Sequence, residues 1–185
     1  MDDYRRLTWN VWMIGWLLMA TAAMAGEPGC ISYSMDFATY LGGGSFDSIR
    51  DVAVDAQGNI AAVGGTGSPD FPTTPGAYCR ALGTGGQSLG DAGACDAFVA
   101  KFDRGGKLLW STYLGGPNYD RAYGVEVDGA GNIYVCGRAG EGFPVTQGAF
   151  QTRFADTSGG KRGFYGKQNG FAAKFTPDGK LLWAS

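Results

Sequence analysis

Along this chain, short stretches in which apolar and polar or small side chains alternate are separated by compact polar turns. Val52 and Val54 alternate ahead of Asp55-x-x-Gly58-Asn59, and the apolar run Ile60 to Val63 follows. Further on, Phe98, Ala100 and Phe102 alternate, and Gly106 turns the chain into Lys107-Leu108-Leu109-Trp110. A period of two marks half-buried strands, and Asp, Asn and Gly between them mark tight turns. The pattern therefore predicts four short strands, the first two and the last two joined as hairpins.

The same segments return 73 residues later: Val125 and Val127, Asp128-x-x-Gly131-Asn132, Ile133 to Cys136, then Phe171, Ala173 and Phe175 before Gly179. Without gaps, the block from Tyr40 matches the block from Tyr113 at 12 of 25 positions, and the block from Asp96 matches that from Asn169 at 9 of 17. Between the blocks lie long inserts, from Thr66 to Gly93 and from Ala139 to Gln168, in which GSPDFPTTPGAY (67-78) corresponds to GEGFPVTQGAF (140-150) with one residue deleted and the remainder is variable. A four-stranded unit repeated in tandem cannot cover both its faces alone and must stack on its neighbours, which predicts an all-β fold of antiparallel propeller blades. The blades are expected at 40-112 and 113-185. Phe37-Ala-Thr-Tyr-Leu-Gly-Gly aligns with Trp110-Ser-Thr-Tyr-Leu-Gly-Gly, so the segment 26-39 is expected to supply a strand, from about Tyr33 to Thr39, that completes another blade. Two blades are fewer than a closed propeller uses, and the chain is expected to be the front of a longer one.

The strings YLGG, VDxxGNIYV, DFPTTPGAY and DAFVAKF resemble the bacterial β-propeller repeat family of exported and cell-surface proteins, of the seven-bladed type, from about Phe37 to Ser185. Departures are local: Cys136 in YVCG, Val145-Thr146-Gln147 after the second Phe-Pro, and a longer first insert. The resemblance implies a propeller fold and a surface location, and it brings no catalytic residues with it.

The first 25 residues differ in character. Arg5 and Arg6 precede a 13-residue apolar run from Val11 to Ala23, and Ala23-Met24-Ala25 supplies a small-x-small cleavage pattern before Gly26. This reads as a signal peptide (1-25), since a membrane-spanning helix needs ~20 apolar residues. An uncleaved segment would be the chain's one membrane link. The four cysteines, Cys30, Cys79, Cys95 and Cys136, then lie in the exported part, where disulfides form. Cys79 and Cys95 bracket a Gly/Ser-rich stretch and are expected to pair, closing a loop worth ~3 kcal/mol in chain entropy. Cys136, inside an apolar run, is expected to be buried and inert.

Composition narrows the chemistry. There are 33 Gly and 7 Pro in 185 residues, no histidine, and a net charge of -2. Histidine-based catalysis and His-ligated metal sites are excluded, and a basic face for nucleic acid is absent. The Asp-x-x-Gly-Asn turns hold oxygen donors but lack the alternating ligands and distal Glu of a calcium loop, so Asp55, Gly58, Asn59 and Asp128, Gly131, Asn132 read as turn formers. Trp110 and Trp183 share part of the spacing of the tryptophan-docking motif of quinoprotein propellers, and read as packing between blades. Asp47 and Asp120, and Lys101 and Lys174, recur in each unit, and recurrence marks scaffold because one active site needs its acid once. Asp70, Glu126 and Glu141, which do not recur, are the binding candidates. Tyr119, Tyr123, Tyr134, Phe164 and Tyr165 are candidates for stacking on sugar rings or for packing. No catalytic residue, metal or cofactor is assigned. The expected function is a noncatalytic exported module, periplasmic, secreted or on the cell surface, that binds a protein or carbohydrate. The alternative is an exported hydrolase or lyase acting on carbohydrate through carboxylates at a channel mouth.

Overall fold

The structure is a computed structural model that describes residues 34–84, 94–155 and 166–185. The expected signal peptide and its cleavage point, Cys30, Tyr33, Phe164 and Tyr165 lie outside the described residues. The chain divides into Met1–Asp36 and Phe37–Ser185. Of the first unit only residues 34–36 are described, and they are exposed and outside any sheet. The remainder concerns the second unit.

Among the described residues there are eight strands and no helix. They are β1 (Asp47–Val54), β2 (Ile60–Thr66), β3 (Asp96–Phe102), β4 (Leu108–Leu114), β5 (Arg121–Val127), β6 (Ile133–Ala139), β7 (Asn169–Phe175) and β8 (Leu181–Ala184). They form two four-stranded sheets in sequential order, β1-β2-β3-β4 and β5-β6-β7-β8, with every pairing antiparallel. These are two propeller blades, one per sequence repeat. The repeat extends to the irregularities. Register shifts fall between Ile49 and Asp51 and again between Ala122 and Gly124, and between Lys101 and Phe102 and again between Lys174 and Phe175. The bulge in each first strand pushes a carbonyl toward the second strand: a Cβ on Gly64 would overlap the Ser48 carbonyl, and one on Gly137 the Arg121 carbonyl. Only glycine fits there, which is why it recurs.

One core joins the two sheets. Ala61, Val63, Ala97 and Val99 from the first face Val125, Ile133, Val135, Phe171, Ala173 and Phe175 from the second. Trp110 at the outer strand seals it. Its ring lies 6.0 Å from that of Phe175, its indole N–H donates to the Pro177 carbonyl at 2.9 Å, and its edge lies where a Cβ on Gly179 would be, 2.7 Å away. The far face of the first sheet, with Ala62, Phe98, Ala100, Phe102 and Tyr113, is covered in part by Phe71 and Leu82 of the insert and by Leu41.

The segment expected to be a strand up to Thr39 is not paired: residues 34–43 belong to no sheet. Phe37 nevertheless rests on Gly106, 2.7 Å from its would-be Cβ, as Trp110 rests on Gly179. It stands where the tryptophan of a preceding blade would stand, and among the described residues no strand pairs with it. The outward faces are exposed where their repeat counterparts at the seam are covered. Val52 is 55% exposed while its counterpart Val125 is 5% exposed, and Trp183 is 39% exposed while Trp110 is 8% exposed.

Trp110→Ala is accordingly expected to cost about 3–5 kcal/mol in urea unfolding, whereas Trp183→Ala costs about 1 kcal/mol or less. Gly137→Ala, which forces the bulge apart, is expected to cost about 1–3 kcal/mol.

Candidate functional site

Antiparallel order sends the strands alternately up and down, so each sheet has one end made of tight turns and one made of inserts. Asp55–Asn59 and Asp103–Lys107 lie at the turn end. At the other end, where Thr66 pairs with Asp96 and Leu114 with Ala97, lie the two inserts and the link from β4 to β5.

The turn end spends its polar groups internally. Asp55 Oδ1 accepts the backbone N–H of Gln57 at 3.0 Å and of Asn59 at 2.8 Å, and Oδ2 accepts the Asn59 side-chain amide at 2.8 Å. Lys101 Nζ reaches the same carboxylate at 3.1 Å, with both side chains almost fully buried. Burial works against the ionised form, but the Asn59 and Lys101 hydrogen bonds outweigh it and hold the carboxyl down to about 2. In the second blade Asp128 makes the same bonds to Ala130 and Asn132, with Lys174 at 3.9 Å and Tyr134 Oη donating at 3.1 Å. Gly58 and Gly131 take φ of 82° and 81°, the left-handed turn position.

The insert end holds the carboxylates. Asp47 Oδ2 accepts Gly43 N–H and the Ser68 hydroxyl, both at 2.8 Å, while Asp70 Oδ1 accepts the next amide, Gly44 N–H, at 2.8 Å. Two acids thus grip consecutive amides of the loop ahead of β1. Asp120, the repeat counterpart of Asp47, is fully buried and accepts Gly116 N–H at 2.7 Å and Gly140 N–H at 2.9 Å. Asp96, at the start of β3, is buried and accepts Gly83 N–H at 2.8 Å through Oδ2, leaving Oδ1 with no partner. Burial pushes both Asp96 and Asp120 up to about 7, against the N–H bonds each accepts. Arg121 lies between the rings of Phe46 and Tyr119, at 4.9 and 5.6 Å.

Sequence reasoning passed over Asp96. The usable signal was that its repeat counterpart is Asn169, whose side-chain oxygen accepts Ala155 N–H at 3.0 Å. The position needs an acceptor, and the first blade supplies it with a titratable one.

The three candidate acids, Asp70, Glu126 and Glu141, lie on different elements, and no hydrogen bond joins any two of them. Asp70 belongs to the loop clasp just described. Glu126 is exposed on β5 opposite Tyr134, and Glu141 is exposed in the second insert, where Asn118 donates to its backbone carbonyl at 2.6 Å. Among the candidate rings, Tyr119 is buried, Tyr123 has the Arg50 and Arg138 guanidinium groups over it at 5.8 and 4.9 Å, and Tyr134 faces Lys174 at 4.8 Å. The described residues contain no group of three Cys, Asp or Glu side chains placed to hold a metal ion.

Two cysteine expectations need correction. Cys79 and Cys95 are free thiols. Cys79 packs beside the Phe98 and Tyr113 cluster, whereas Cys95 packs with Tyr119 and has its sulfur against the Asp120 carbonyl, so the two belong to different clusters. Burial pushes the Cys95 thiol up to about 12. Cys136 is exposed. It alternates with the buried Ile133 and Val135 on β6, and among the described residues no sheet lies against the face it occupies.

Two stacked four-stranded sheets with one shared core, a turn end and an insert end define a β-propeller module. Residues 109–144, from β4 through β6 into the second insert, match the family model of the SBBP beta-propeller repeat. No curated protein matches the chain.

The pH dependence follows from the carboxylates. Asp96 and Asp120, raised from 3.8 to about 7, contribute stability that is fully present below pH 3.8 and lost as pH rises through 7. Asp55, lowered to about 2, contributes stability present above pH 3.8 and lost as pH falls through 2. Asp96→Asn, which copies the second blade, is expected to raise the melting temperature at pH 8 more than at pH 4. Thiol labelling of the folded chain is expected to mark Cys136 quickly and Cys95 only after unfolding.

Proposed function

We propose that this propeller module is noncatalytic, that it acts after export, and that it binds a protein or carbohydrate partner through its inserts, with the two blades as rigid support. The observation that carries the reading is the division of labour between recurring and variable residues. Recurring polar groups such as Asp55, Asn59, Asp120, Asp128 and Asn132 are committed to bonds inside the blades. The inserts, in contrast, hold aromatic side chains outward. Tyr78 and Phe150 occupy matching places after the turns at Gly76 and Gly148, and Phe150 is fully exposed. Rings held in this way suit the flat faces of sugar rings or the apolar side chains of a protein.

The test is retention of the purified chain on immobilised polysaccharides and on a displayed peptide library. The expected outcome is saturable binding to one of these, weakened about tenfold or more in the Tyr78→Ala, Phe150→Ala double variant, as truncation of central aromatic contacts does. Release of reducing sugar that stops on changing Asp70 or Glu141 to Ala would replace this reading with the hydrolase one. Absence of binding to both panels would overturn it as well.

A further inference from the structure

A charged side chain buried in a fold is normally paired, because desolvation makes an isolated charge costly. Arg121, at the head of β5, departs from that rule. It is 4% exposed, its Nε has no hydrogen-bond partner, and no ion pair reaches it among the described residues. The acids on the strands around the seam are spent elsewhere. Asp120 gives its two oxygens to the Gly116 and Gly140 amides, Asp96 takes the Gly83 amide, and Asp51 accepts the Val52 and Val125 amides at 3.0 and 2.9 Å. The Arg121 guanidinium is held by the rings of Phe46 and Tyr119 instead.

Two more guanidinium groups gather on the same strands. Arg138 of β6 stands directly opposite Arg121 in the strand register, and like charges placed opposite each other destabilise a sheet unless something compensates them. Arg138 also lies 4.9 Å over the ring of Tyr123, and Arg50 of β1 lies 5.8 Å over the same ring. The bulges bring Arg50 and Tyr123 together. The register shifts leave Arg50 as the extra residue of β1 and Tyr123 as the extra residue of β5, and the two hold equivalent places in the repeat. A bulge turns its side chain off the ladder, here at the seam that the Asp51–Val125 bond closes. Tyr123 in turn lies beside the Tyr119 hydroxyl. Three cations from β1, β5 and β6 thus rest on one strip of aromatic rings, in a chain whose net charge is -2.

We propose that Arg121, Arg138 and Arg50 form an oxyanion site at the seam between the two blades, taking a carboxylate or a phosphate. The oxyanion supplies the counter-charge that Arg121 lacks, and it relieves the repulsion between the two arginines that face each other across β5 and β6. A ring beneath a guanidinium takes none of its in-plane N–H donors, so ring stacking and oxyanion binding are compatible. The planar fork of arginine matches the paired oxygens of either group. Because Arg50 comes from the first blade and the other two from the second, a bound oxyanion also fastens blade to blade. The site lies on strands and is additional to the insert rings at Tyr78 and Phe150.

Isothermal titration and thermal melting of the full chain with sodium phosphate and with sodium glucuronate, against sodium chloride at matched ionic strength, test this. The expected result is saturable binding of one or both at a single site, with a rise in melting temperature that chloride does not give. Phosphate alone would mark the ligand group as a phosphate, and glucuronate alone as a carboxylate. Arg138→Gln and Arg50→Gln are each expected to weaken binding about tenfold, as loss of one charge-assisted contact does. Arg121→Met, which keeps an unbranched stem between the rings, is expected to abolish it; the other two variants read the same site should this one fail to fold. Absence of saturable binding of either anion overturns the proposal, as does a melting shift that chloride reproduces. Binding indifferent to Arg138→Gln and Arg50→Gln overturns it as well. Retention on polysaccharide or peptide that responds to the Tyr78→Ala, Phe150→Ala double variant reads the inserts and is independent of these results.

Discussion

The Trp110 indole, seated on Gly179 and bonded to the Pro177 carbonyl, belongs to one sheet by its chain and to the next by its contacts. The rest of the architecture depends on that kind of contact. A twisted four-stranded sheet has two apolar faces, and among the described residues no helix covers either. Each CH₂ left in water forgoes about 0.8 kcal/mol, so a blade standing alone is a poor structure. Stacking buries one face of each blade in a common core of small and aromatic side chains, and a large ring at the outer edge fills the wedge that the twist opens. The glycine beneath the ring is as necessary as the ring, since any side chain there would occupy its place.

Polar chemistry follows the same economy of position. At the turn end, each Asp-x-x-Gly-Asn carboxylate satisfies the backbone amides of its own turn and reaches a lysine from the third strand, tying two hairpins together. At the insert end, Asp47, Asp70, Asp96 and Asp120 accept amides from the loops that leave the sheets. The inserts vary in sequence, yet their roots are fixed by these bonds. A fixed root with a variable tip lets one scaffold carry different recognition surfaces.

The carboxylates also show how two copies of one motif diverge. Asp96 and Asn169 do the same structural task, accepting one loop amide, but only the acid titrates. Asp47 is half-buried where Asp120 is wholly buried, because the latter lies under the seam between blades and the former at the edge of one. Position in the stack, more than residue type, decides which acid meets a low dielectric.

The sequence by itself determined the two sheets, their four strands each and the placement of the turns. Alternation of Phe98, Ala100 and Phe102, the Asp-x-x-Gly-Asn hairpins and the 73-residue repeat are local patterns, and local patterns dictate backbone conformation. It also separated scaffold from insert, since only the scaffold repeats. What it left undecided was which of two apolar faces would be covered. Cys136 lies in an apolar run that reads as core, and it is exposed because burial of that face requires a neighbour that strand periodicity says nothing about. Cys79 and Cys95 bracket one loop but pack in different clusters, a separation that loop length does not encode. The acceptor role of Asp96, and the seat that Phe37 shares in kind with Trp110, depend on contacts between residues distant along the chain. Those contacts exist only once the sheets have twisted and stacked, and so tertiary structure alone decided them.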